Sequence, residues 1–84
     1  MSSAAKRKLG FNEQHDLRTL PRRIADLQER IERLNAALAD PTLYLLDSAL
    51  FERISAALST ARLDLAAAED RWLALEVLRE ELEG

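Results

Sequence analysis

From Leu17 the apolar residues fall at Leu17, Leu20, Ile24, Leu27, Ile31, Leu34 and Leu38, in alternating steps of three and four without a slip. On an α-helix that spacing gathers the side chains into one stripe, the seam of a coiled coil, which needs a second helical stripe to cover it. The same chain supplies one, because the spacing resumes at Phe51, Ile54, Leu58, Ala61, Leu65, Ala68, Trp72 and Leu75. Asp26/Arg30 and Glu29/Arg33 place an acid four residues before a base, which supports the first helix from outside.

Asp40-Pro41 separates the two stripes, and the residue before a proline avoids the helical region, so the first helix ends there. Folding the second stripe back about a short turn pairs positions whose numbers sum to about 89. Ile31 then faces Leu58, Leu27 faces Ala61, Ile24 faces Leu65, Leu20 faces Ala68 and Leu17 faces Trp72, with large against small in two layers. Phe11 is expected to cover Trp72, Leu75 or Leu78 at the open end.

Pro21 sits inside the first stripe, where it removes a backbone donor and disfavours helix at Leu20. Either the helix starts afresh at Pro21, with Thr19 or Leu20 as its cap, or a short helix and a long one meet at a kink. Asn12-Glu13 reads as an N-cap followed by a first-turn acid, which favours the short helix and a bend. Asp47 or Ser48 caps the return helix.

The predicted fold is therefore all-α, an antiparallel two-helix coiled-coil hairpin with a short N-terminal helix before Pro21. A flexible basic linker occupies residues 1–9 and the hairpin residues 10–84. Its parts are a short helix at about 12–19, a main helix at about 21–39, a turn at 40–47 and a return helix at about 48–81. Helices of roughly 20 to 30 residues, rising about 1.5 Å each, make a rod some 30 to 45 Å long.

Composition removes most chemistry. With 84 residues, no Cys and one His, the chain has no disulfide frame, no thiol nucleophile and no cysteine or multi-histidine metal site. The only glycines, Gly10 and Gly84, cannot build a phosphate-cradling loop. His15 and Asp16 are neighbours on a helix and point about 100° apart, so they form no catalytic set. Glu69-Asp70 and Glu80-Glu81 have no cleft to raise a carboxyl pKa. Trp72 belongs to the core, or, if exposed, acts as a binding anchor. No catalytic residue, resident cofactor or metal is expected in these residues. Neither an 18-residue apolar run nor a secretory h-region is present, so a cytoplasmic protein without membrane contact is expected.

Charge is divided along the chain. Residues 1–33 hold eight Lys/Arg against five acids, and residues 34–84 hold four Arg against ten acids. Lys6, Arg7, Lys8, Arg18, Arg22 and Arg23 form the basic stretch, and Arg18 has no acid at i±3 or i±4. Such a stretch suits DNA or RNA phosphates, bound largely without regard to sequence. Leu45, Leu46, Leu63, Leu73 and Val77 lie off the seam and mark the alternative, a face that docks on protein.

The order Lys8-Leu9, Phe11, Glu13, Leu17, Leu20-Pro21, Ile24, Leu27, Asp40-Pro41 with Tyr44, Phe51, and Glu69 with Arg71-Trp72 resembles the C-terminal coiled-coil domain of ABC-F ATP-binding proteins, the Uup type above all. The resemblance spans about residues 8 to 75. Gly10-Phe11-Asn12 departs from the family's Ser-Tyr pattern, and Asp47-Ser48 stands where a second Asp-Pro is common. The resemblance implies an accessory hairpin appended to tandem ATPase modules, with ATP and Mg²⁺ bound elsewhere in the parent; a monomer is expected over an oligomer. It also implies nucleic acid, DNA or ribosomal RNA, as the partner, held through Lys6, Arg7, Lys8, Arg18, Arg22 and Arg23, with the parent ATPase domains as a further partner.

Overall fold

The computed structural model describes residues 8–83, which form three helices: α1 (Phe11–Leu38), α2 (Leu43–Leu46) and α3 (Ser48–Glu83). The long helices α1 and α3 pack antiparallel, while α2 is a single turn at the reversal. No residue described is in a strand.

α1 begins one residue after Gly10, not at Asn12. Gly10 is extended, its carbonyl accepts the first helical hydrogen bond from Gln14 N at 2.9 Å, and Glu13 Oε1 accepts from Gly10 N at 2.8 Å. The acid three residues into the helix thus does half of a capping box's work without a Ser or Thr partner. Starting here turns Phe11 about 180° from Leu20 on the helical wheel. Phe11 is accordingly 84% exposed and does not cover the open end, correcting the expectation made for it.

The expected break at Pro21 does not occur: α1 is one 28-residue helix with Pro21 inside it. An interior proline costs about 3 kcal/mol through its missing donor and the clash one turn back. Against that stands a seam that continues across it, with Leu20 and Leu27 buried and Leu17 and Ile24 packed on the same cluster. Each buried leucine contributes roughly 1.5–3 kcal/mol, so packing wins over local propensity. Pro21 itself is exposed, so its ring displaces no core side chain.

Side-chain carboxylates shape the reversal. Asp40 Oδ1 accepts from Thr42 N at 2.9 Å and from Thr42 Oγ1 at 2.8 Å, and these bonds, the backbone one first, hold the Asp40 carboxyl below the usual aspartate range. Asp47 Oδ1 accepts from Leu50 N at 3.0 Å, which makes Asp47 the N-cap of α3. Tyr44 and Phe51 meet edge to face with ring centres 5.3 Å apart, tying the turn to the first coil of α3.

The core is a single line of side chains. Leu20, Leu27, Ala68 and Leu75 form its centre, with Leu17, Ile24, Leu65 and Trp72 against them, and Leu58 and Ala61 buried farther toward the turn. An ion pair between Asp16 and Arg71, at 3.2 Å, crosses the two helices close to the expected register. The molecule measures 66 × 17 × 15 Å, longer than the rod the sequence predicts, because the 36-residue α3 alone spans about 54 Å. No described helix is long and apolar enough to cross a membrane.

Candidate nucleic-acid interface

The basic stretch divides when it is placed on the fold. Lys6 and Arg7 lie outside the described residues, as does most of the linker assigned to residues 1–9. Lys8 is exposed just before α1 and faces the end of α3 across a shallow groove of about 310 Å³ that Arg79 and Glu83 also line. Arg18, Arg22 and Arg23 are all exposed on α1. Arg18 and Arg22, one turn apart, share the face turned away from α3, whereas Arg23 is rotated about 100° from Arg22 toward the edge of the hairpin.

Their partners differ. Arg22 Nε donates to Asp26 Oδ1 at 3.4 Å. Arg18 Nη2 lies 3.3 Å from His15 Nδ1, and no carboxylate pairs with Arg18 among the described residues. Arg23 has no ion-pair partner among the described residues. Asp26 was expected to pair with Arg30; it pairs with Arg22 instead, and Arg30 is left without a carboxylate partner among the described residues. Arg30 stands seven residues from Arg23 on the same edge, about 10 Å along the axis. The sequence pointed away from Arg30, because the acid-before-base preference assigned Asp26 to it. The companion pair Glu29–Arg33 forms as expected, at 2.6 Å.

The antiparallel fold also sets an acidic neighbour beside these bases. Residues 69–83 of α3 carry six carboxylates against two arginines. Both arginines are occupied, Arg71 by Asp16 of α1 and Arg79 by Glu76 and Glu83. Positive potential is therefore confined to the outer face and one edge of α1 and does not envelop the whole end of the rod. Among the described residues, no cluster of three or more His, Asp or Glu side chains is placed to hold a metal ion.

The described residues form a two-helix hairpin closed at its tip by a single helical turn. The family model for the ABC transporter C-terminal domain matches residues 8–77, and the chain belongs to that family. The match takes in all of α1, the reversal, and α3 as far as Val77. No curated protein and no solved structure matches the chain.

Proposed function

We propose that this hairpin is a non-catalytic, cytoplasmic accessory domain of an ABC-F ATPase that holds nucleic acid by its phosphates along the N-terminal half of α1. One observation carries this reading: Arg18, Arg23 and Arg30 are exposed on α1 with no carboxylate partner among the described residues. Arg22 adds to the same surface at small cost, since its exposed pair with Asp26 is worth well under about 1 kcal/mol. Lys8 extends the basic line beyond the helix start, and Lys6 and Arg7 precede it in the sequence. ATP and Mg²⁺ belong to the parent's other modules and take no part in this contact.

The mechanism is counterion release, so affinity falls steeply with salt and depends little on sequence. Titration of the 84-residue chain with duplex DNA and with a ribosomal RNA helix tests it. Arg18→Ala and Arg23→Ala should each weaken binding and each lower the salt slope by about one unit. Arg33→Ala, whose guanidinium is held by Glu29, should change the slope least. No response to either nucleic acid at low salt would remove the reading. Docking on the parent ATPase domains or on the ribosome is the second reading, favoured by Leu45 and Leu46 standing 79% and 82% exposed at the tip.

A further inference from the structure

α3 carries a second seam, away from α1. Leu63, Ala66, Asp70, Leu73 and Val77 repeat the steps three, four, three, four, and all five are exposed. Leu63 is 73% exposed, Leu73 56% and Val77 48%, so three large apolar side chains at coiled-coil spacing are about half or more open to solvent. At Leu73 the seam opens into a groove of about 420 Å³ between the long helices, lined also by Pro21, Ile24, Glu69 and Trp72. An apolar stripe that borders a groove is shaped for a third helix, which would bury the stripe and fill the groove together.

The one polar member of the seam selects the occupant. Asp70 stands at a position that a packed helix would cover, and it has no ion-pair partner among the described residues; Glu69, also without one, flanks it in the groove wall. A carboxylate covered by an apolar side chain would be left unpaired and costly, whereas Lys or Arg facing it would satisfy it and fix the register. A second copy of this chain fails that requirement. In an antiparallel pair through this seam, overlaying Leu63 on the other copy's Val77 sets Asp70 against Asp70, and a parallel pair does the same. The outer face of α1, Arg18, Arg22, Ala25 and Glu29, has no large apolar stripe to offer either.

We infer that α3 docks an amphipathic helix of another polypeptide, apolar at heptad spacing and carrying Lys or Arg at the seam position opposite Asp70. The site is separate from the basic face of α1 and does not depend on nucleic-acid binding there.

A displayed library of helical peptides of about three heptads tests it. Leu is fixed at the outer seam positions, and the central one is free among Lys, Arg, Glu and Ala. Selection on the full 84-residue chain should enrich Lys or Arg at the centre, and the enriched peptides should shift the fluorescence of Trp72, the sole tryptophan, to the blue. Selection on D70K should enrich Glu instead, and L73S should weaken the enriched peptides about tenfold or more. Both altered side chains are exposed, so helicity by circular dichroism should match the parent chain. Failure to enrich any peptide, or a central preference that D70K leaves unmoved, overturns the inference. So does light scattering that shows a dimer which the peptides cannot dissociate. Nucleic-acid titration of the parent chain and of L73S, which share the same charge, is read independently of the peptide selection, so the two readings fail separately.

Discussion

At the scale of single residues, this hairpin depends on a few side chains because a two-helix core is one layer thick. Leu75 is 1% exposed and the most completely enclosed large side chain described. Leu75→Ala should cost about 2–5 kcal/mol, enough to unfold most of the population of a domain this small, read as loss of the thermal transition. Leu63→Ala, equally large but 73% exposed, should stay within about 0.5 kcal/mol. Asp47→Ala removes the acceptor for Leu50 N and should cost about 1 kcal/mol. Asp40 makes a prediction in pH. Its carboxyl is stabilised in the folded turn by Thr42, so the folded pKa lies below the unfolded one. The turn then gains stability above the unfolded pKa, and that gain disappears as pH falls through the folded value. NMR titration of the Asp40 carboxyl should place its midpoint below the ordinary 3.8, and Thr42→Val should raise it.

At the scale of elements, the test case is α1 at Pro21. If packing alone carries the helix across the proline, Pro21→Ala should restore a backbone bond and raise stability by on the order of 1–3 kcal/mol without altering the register. Chemical denaturation checks this: a rise in midpoint is expected, and no change would mean that the helix is broken there in solution. The two seams and the Asp40-Pro41 reversal were legible from the sequence because period and proline chemistry are local signals that tertiary packing reinforced. The continuity of α1 was not, since Pro21 argues locally for a break and only the partner helix overrules it. The same holds for Phe11, whose orientation follows from which residue starts the helix, a matter of one position. At the candidate interface, Arg18, Arg22 and Arg23 could be named from charge alone. Arg30 could not, because two arginines compete for Asp26 at equal spacing and only side-chain geometry decides between them.

At the scale of the whole molecule, shape and field act together. The radius of gyration is 18.8 Å, against about 12 Å for a compact domain of this length, and the accessible surface is 6293 Å², against roughly 5,000 Å² for a globule of this mass. A rod only 15–17 Å across cannot separate its faces electrically, so a polyanion on α1 feels the carboxylates of α3. Screening has a length of about 8 Å at 0.15 M salt, about half the rod's width, so that repulsion should operate at low salt and fade at high. Changing Glu69, Glu80 and Glu81 together to Gln should therefore raise affinity for duplex DNA severalfold at about 50 mM salt and by less than about twofold near 0.3 M. Arg18→Ala should lower affinity in either background, because it removes a direct phosphate contact and not a distant field. A triple variant that binds DNA no better than the parent at low salt would place the phosphate contact outside the reach of α3, and so off the N-terminal half of α1.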